Sequence, residues 1–354
     1  MRFYVKEMRV LFLPAYKNAD NPYLQLLTNS LDEFGVKTTT SWTFPGLCWL
    51  FQHIQKVDIL HIHWPSYLYH FNKLTWLRSV IVLIRFLVAR GLGYKIVWTA
   101  HNLKPHDSVC PWTDRFFRKL IIKFGHGVIF HCIAAYYQVS ETYGFPSNYA
   151  IIPHGNYDGF YPSLPDKLEV RSRLGIPSEQ FVYLCFGKVR GYKGIDRLIE
   201  DFKKLGAPNS SLIIAGMAEQ DDKARLIVQY KKEKNILLFL HHIDDADVSK
   251  FLAVADVVIS PYTSILTSGV ALLALTFGRP MIAPRLGCLP ELVTHSCGIL
   301  YDPEDSSGLL DALNNIQSAD LGAMSIAARK RAEEYKWDDI GRLTADFYRK
   351  CVGK

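Results

Sequence analysis

The sequence predicts an α/β protein built from two doubly wound, Rossmann-like halves, and three observations carry that prediction. Strand-like and helix-like stretches alternate in two successive series, the rhythm of a parallel sheet with helices on both faces. Prolines and glycines cluster between the two series, from Pro153 to Pro177. At 354 residues the chain also exceeds what a single hydrophobic core usually organises. The halves are placed at 1–155 and 156–337.

In the first half, the runs Arg9–Leu13, Val36–Thr40, Asp58–His63, Lys95–Ala100, Gly127–His131 and Ala150–Ile152 read as strands. Helical stretches lie between them at Asn21–Phe34, Pro45–Gln55, Leu74–Arg90, Pro111–Phe124 and Ala134–Tyr143. In the second half the strands are Phe181–Phe186, Ser211–Ala215, Ile236–Phe239, Asp256–Ser260, Pro280–Ala283 and Gly298–Leu300. Its helices are Lys193–Leu205, Lys223–Glu233, Asp245–Ala253, Gly269–Thr276, Ser306–Ile316 and Ala319–Glu334, and a last helix, Asp338–Cys351, stands outside the rhythm. In such sheets ligands bind beyond the carboxyl ends of the strands.

Composition narrows the class. Apolar residues make up 49% and charged residues 21%, the profile of a globular protein in water. The net charge of +7 suits anionic ligands or an anionic membrane surface and is too diffuse to argue for nucleic acid. Seven scattered cysteines, odd in number and without a C-x-x-C, read as reduced thiols of a cytoplasmic protein. Met1–Glu7 is charged and Met8–Leu13 is short for a signal peptide, so none is expected. Trp76–Leu92 is interrupted by Arg78, Arg85 and Arg90, which argues against a spanning helix and for an amphipathic one that lies on a bilayer or packs on the core.

The stretch Tyr262–Pro280 organises the second half. A buried-strand run ends at Ser260, a loop follows, and Thr267-Ser268-Gly269 leads into apolar residues at helical spacing. Thr267 or Ser268 can cap that helix, and its free N–H groups and positive dipole make a place for a diphosphate. Gly269 carries no Cβ to hold a ligand away from the amides. The first strand of this half runs into a basic loop holding Lys188, Arg190 and Lys193, with Gly191 and Gly194 keeping the backbone open. Three cations facing a helix start can hold a nucleotide diphosphate and neutralise its charge as it leaves; otherwise they form a solvated basic turn.

Several segments, taken in order, carry a family resemblance. Phe186–Gly194 resembles the F-G-R-x-x-x-x-K-G segment of GT-B glycosyltransferases of the family 4, or group 1, type. Ile152-Pro153-His154-Gly155-Asn156 is similar to their I-P-N-G-V/I-D hinge, and Trp98–Leu103 to their T-x-H-D/N-L segment. Gly287–Val293 resembles G-G-x-P-E-x-V, and Gly298–Pro303 resembles G-x-L-x-x-P. The matches cover nearly the whole chain. The resemblance implies two Rossmann-like domains facing a central cleft, with the terminal helix, 338–354, crossing back to the first. It implies a nucleotide-sugar donor, a saccharide or lipid-linked saccharide acceptor, no cofactor, and a place in bacterial polysaccharide synthesis at the inner face of the membrane. The alternatives are a non-catalytic partner subunit of the same fold and a sugar-nucleotide epimerase.

This sequence departs from the pattern in one respect. The family's two glutamates, E-x7-E, fall on Ile265 and Leu273, so both carboxylates are missing. Donor binding is therefore expected to rest on Arg190, Thr267, Ser268, Gly269, main-chain amides and Glu291. His101, at the end of a strand, matches a histidine that in the family lies near the donor sugar; with Lys188 and Lys193 it is the expected catalytic group. On the acceptor side the candidates are Asn21, Tyr23, His63 and Asp107. His61 and His63 share a strand face but have no further ligands in view, and no metal is expected. Asp245-Ala246-Asp247 spells D-x-D but opens a helix, where acidic residues favour the N-terminus. Neither G-x-G-x-x-G nor G-x-x-x-x-G-K-[ST] occurs, which argues against a dinucleotide oxidoreductase and a P-loop enzyme.

Overall fold

The computed structural model describes residues 7–14, 22–69, 75–104, 110–230 and 232–353. The acceptor candidates Asn21 and Asp107 lie outside the described residues. The chain divides into two compact units, residues 1–155 with 336–354, and residues 156–335.

The first unit is a parallel sheet of β1 (Met8–Leu13), β2 (Val36–Thr40), β3 (Ile59–Ile62), β4 (Lys95–Thr99), β5 (Gly127–Phe130) and β6 (Tyr149–Ile151). Its helices are α1 (Tyr23–Glu33), α2 (Leu47–Gln52), α3 (Ser66–Tyr69), α4 (Thr75–Gly91), α5 (Pro111–Phe124) and α6 (Ile133–Tyr143). The strand order is β2-β1-β3-β4-β5-β6. The chain first winds outward to β2 and then returns to build the other side, so the direction of winding reverses between β1 and β3. Crevices for ligands form at such reversals, beyond the carboxyl ends of the strands. His63 follows β3 there, and its amide donates to the Leu13 carbonyl at the end of β1 (2.7 Å).

The second unit begins with α7 (Lys167–Arg173), followed by β7 (Phe181–Phe186), α8 (Ile195–Leu205), β8 (Ser210–Ala215), α9 (Gln220–Tyr230), β9 (Ile236–Phe239), α10 (Asp245–Val254) and β10 (Val257–Ile259). It continues through α11 (Gly269–Thr276), β11 (Met281–Pro284), α12 (Leu289–Leu292), β12 (Gly298–Tyr301), α13 (Gly308–Asn315) and α14 (Leu321–Ala332). The order β12-β11-β10-β7-β8-β9 is again parallel, and its reversal lies between β7 and β10. The last helix, α15 (Trp337–Val352), joins the first unit, where Ile340, Ala345, Phe347 and Tyr348 enter one core with Phe12, Leu27 and Val97.

The sequence expectation is refined in three places. The proline- and glycine-rich stretch holds a helix, α7, capped by Asp166, whose carboxylate accepts from the Glu169 amide (2.8 Å). Helix α8 starts at Ile195 rather than Lys193 because Gly194 adopts φ +67°, and a side chain there would meet the Pro261 carbonyl at 2.0 Å. Asp245 and Asp247 lie in the first turn of α10, and Asp247 pairs with Lys250 (2.6 Å). Among the cysteines, Cys48, Cys110, Cys185, Cys297 and Cys351 are free thiols.

Arg171 of α7 ties the second unit together at the amino ends of its strands. Its guanidinium donates to the carbonyls of Val254, Ser178 and Gln180 and pairs with Asp256 (2.8 Å). Asp256 also receives Lys167 (2.6 Å) and the Val182 amide (2.7 Å). Removing that carboxylate leaves Arg171, only 2% exposed, without a counter-charge. Asp256→Ala is therefore expected to destabilise the unit by about 3–5 kcal/mol in urea unfolding. A loss under about 1 kcal/mol would mean that the carbonyls alone satisfy the guanidinium.

Candidate active-site residues

In the second unit the basic loop and the α11 start meet at the sheet reversal. The loop after β7 folds into a tight turn over Gly191–Lys193, and the Thr263 amide donates to the Tyr192 carbonyl (2.9 Å), fastening this turn to the loop after β10. Lys193 is 7% exposed and donates from Nζ to the Tyr262 hydroxyl (3.1 Å). That hydroxyl is shared with Ser268 Oγ (3.0 Å), and Ser268 caps α11 by accepting from the Ala271 amide (3.2 Å). The Lys193 ammonium also lies 4.6 Å from the Tyr262 ring centroid. Burial works against the charge, but Tyr262, Tyr192 and Cys185 together raise the Lys193 pKa, so the ammonium stays charged at neutral pH. Among the described residues no carboxylate pairs with it.

The other donor candidates sit around this line. Lys188 and Arg190 are half-buried on the loop, and Thr267 is half-buried beside the cap. The Cys288 amide donates to the Leu266 carbonyl (2.8 Å), which brings the turn bearing Glu291 against the Thr267 loop. Gly269 also has a neighbour within its own unit. A Cβ there would stand 2.7 Å from the Tyr157 hydroxyl, so a larger residue requires that side chain to shift. Of the two positions where glutamates are missing, Leu273 is buried on α11, a helix apolar on every side, and Ile265 is half-buried in the loop.

In the first unit, histidines follow four adjacent strands in spatial order: His63 after β3, His101 after β4, His131 after β5 and His154 after β6. All are buried. His63 Nδ1 lies 3.2 Å from His101 Nε2, His101 Nδ1 lies 3.2 Å from His131 Nε2, and His131 Nδ1 lies 2.9 Å from the Ile152 carbonyl. Both ring nitrogens of His101 are thus engaged by other histidines. His61, inside β3, is held by Tyr348 (2.5 Å) and Thr99 (2.8 Å). Tyr23 is buried beneath the row, its ring 4.9 Å from those of His101 and His154, and Trp64 stacks on His101 at 4.9 Å. Burial is the largest cause of the low pKa of each ring, reinforced for all but His131 by neighbouring histidines: about 3 for His61 and His154, about 4 for His131, and well below 6.5 for His63 and His101.

Sequence reasoning singled out His63 and His101 and passed over His131, His154 and Tyr262. A signal was present: Ile59–His63, Trp98–His101, Val128–His131 and Ile151–His154 each place a histidine at or just after an apolar strand run.

Helix α4 keeps an apolar face outward. Trp76 (68% exposed), Val80, Ile84 and Leu87 are all exposed, as are Leu47 and Phe51 on α2, which packs beside it. Two of its arginines serve the fold: Arg85 donates to the Phe44 carbonyl (3.0 Å) and Arg90 to that of Phe124 (2.8 Å). Among the described residues no helix is long and apolar enough to cross a membrane.

Residues 166–335 match the family described as Glycosyl transferases group 1. A GDP-mannose:glycolipid 4-beta-D-mannosyltransferase of Xanthomonas campestris pv. campestris is 25% identical over 361 residues, which cover 98% of this chain and 93% of that protein. Sucrose-phosphate synthase from Thermosynechococcus elongatus shares the fold with a TM-score of 0.76, at 17% identity over 98% of this chain and 99% of that one. Anabaena HepE, solved with UDP and glucose, has a TM-score of 0.71 at 20% identity, over 96% of this chain and 98% of that one.

Proposed function

Because this chain is a GT-B glycosyltransferase of the group 1 type, we propose that it moves a mannosyl group from GDP-mannose to a saccharide carried on a lipid, in the synthesis of a bacterial polysaccharide or glycoconjugate. The observation that carries the donor side is Lys193: a buried ammonium at the sheet reversal, beside a capped helix start and, among the described residues, without a carboxylate partner. A buried cation of that kind is costly unless an anion joins it, and a nucleotide diphosphate supplies one. Lys188, Arg190, Thr267, Ser268, Gly269 and Glu291 complete this donor side, and the histidine row containing His101 and His63 forms the acceptor side. The donor and acceptor are drawn from the Xanthomonas relative, whose name gives GDP-mannose and a glycolipid.

Side-chain cations and a helix dipole stabilise the leaving diphosphate, so neither metal nor cofactor enters this reading. Incubating the purified protein with GDP-mannose, UDP-glucose or ADP-glucose, a lipid-linked saccharide and excess EDTA tests it. Mannosyl transfer that persists under EDTA supports the proposal; transfer only from another donor, or only after adding Mg²⁺ or Mn²⁺, sinks the donor or the metal-free part.

A lipid-borne acceptor calls for a membrane surface. The exposed apolar face of α4 and α2 suits insertion at the level of the head groups, and the chain's +7 charge suits anionic lipid. Wild-type protein is expected to float with anionic vesicles, and Trp76→Glu with Ile84→Glu to abolish this while leaving the fold intact, since both side chains face outward. Wild-type protein that stays at the bottom of the gradient at low salt removes the membrane from the reading.

A further inference from the structure

We infer that His63 is the group that takes the proton of the acceptor hydroxyl, with His101 and His131 standing behind it as a hydrogen-bond chain of fixed direction. This rests on the glycosyl-transfer reading above.

The direction follows from one carbonyl. Ile152 C=O can only accept, so His131 Nδ1 must carry a proton. A neutral His131 then has a bare Nε2, which accepts from His101 Nδ1–H. His101 in turn has a bare Nε2, which accepts from His63 Nδ1–H. Every ring is therefore the Nδ1–H tautomer, and the outer end of the chain is the lone pair on His63 Nε2. Burial keeps all three rings neutral, as the assignment requires. Among the described residues His63 Nε2 is buried and has no hydrogen-bond partner. An orphaned buried acceptor is costly, and one at the carboxyl rim of a sheet reversal is explained by a ligand that donates to it. A sugar hydroxyl is such a donor. His101, with both ring nitrogens committed, is not placed to receive one directly.

In the transfer step the acceptor O–H bond breaks and its proton passes to His63 Nε2. The oxygen keeps the electron pair and bonds the anomeric carbon, while the bond from that carbon to the donor phosphate breaks and its pair leaves with the nucleoside diphosphate. The Nδ1 proton of His63 then moves to His101 Nε2, and that of His101 to His131 Nε2. The charge finishes on His131, whose Nδ1–H remains on the Ile152 carbonyl, and it returns to solvent after product release.

His63→Asn separates the roles. The asparagine amide stands where Nδ1 was and still donates to His101, while nothing replaces Nε2. Turnover with GDP-mannose and lipid-linked acceptor is expected to fall by about 10²-fold or more, with donor KM unchanged. His63→Gln, which returns an acceptor near Nε2, is expected to recover hydrogen bonding to the hydroxyl, seen as a lower acceptor KM than in His63→Asn. Turnover of His63→Asn within about threefold of wild type overturns the assignment. Independently of turnover, ¹⁵N-histidine NMR of the wild-type protein at neutral pH is expected to show protonated Nδ1 and bare Nε2 on all three rings. A proton on Nε2 of any of them overturns the chain. Wild-type protein that transfers no sugar overturns the functional reading, and the NMR result then still decides the direction of the chain.

Discussion

Bringing the protein from neutral pH to about pH 5 is expected to unfold the first unit while the second stays folded. His61, His63, His101, His131 and His154 are buried and neutral; burial lowers all five pKa values from the ordinary 6.5, to about 3 for His61 and His154, to about 4 for His131, and well below 6.5 for His63 and His101. In the unfolded chain each recovers a pKa near 6.5. Above that pH neither state binds the proton and stability is complete. As the pH falls from 6.5 toward 4, the unfolded chain binds protons that the folded unit excludes, and each histidine removes up to about 1.4 kcal/mol per pH unit. A domain holds about 5–15 kcal/mol in total, so five such groups exhaust it within one or two units. The second unit is spared because its histidines, His241, His242 and His295, are exposed. All seven tryptophans belong to the first unit, so intrinsic fluorescence follows it alone, while hydrogen exchange in Phe181–Ile259 follows the other. Fluorescence unchanged down to pH 4.5 would show that the folded histidines already carry protons.

Replacing Lys193 by alanine is expected to lower kcat by about 10²-fold, with a much smaller effect on binding of the nucleoside. The ammonium is fixed by Tyr262 and by the ring beneath it, and Tyr262 is fixed in turn by the Ser268 cap. A cation held this rigidly needs no reorganisation when charge develops on a leaving phosphate, which is where such a contact contributes most. Lys193→Met, which keeps the bulk of the stem, should show the same loss and so separates charge from packing. Pre-steady-state rates and calorimetric titration with guanosine measure the two quantities. A near-normal kcat in both variants would leave Lys193 a structural lysine.

The fold class was legible because its signals are local. Buried strands such as Phe181–Phe186 must be continuous apolar runs, and helices such as Pro111–Phe124 must repeat with their own period. Strand order was not legible, and it is strand order that makes the ends of β7 and β10 the place where Lys193, Tyr262 and Ser268 meet. The histidine row escaped for the same reason. His101 and His131 are 30 residues apart, and only the pairing of β4 with β5 makes them neighbours. Short α12 is opened by Cys288, whose side chain does not cap it. The closeness of Gly269 to Tyr157 escaped in the same way, since the two are 112 residues apart in the chain and meet only in packing.

The return of α15 to the first unit bears on how the protein is made. A ribosome releases the chain from the amino end, so residues 156–335 emerge as an uninterrupted set and can assemble their core while synthesis continues. The first unit has no such opportunity. Phe12, Tyr23 and Leu27 wait for Ile340 and Phe347, and His61 waits for the Tyr348 hydroxyl, all supplied by α15, which follows the second unit. The half that is translated first is thus the half completed last. A polypeptide that stops after residue 335 holds a complete second unit joined to an unfinished first one, with an apolar face for chaperones and proteases to find.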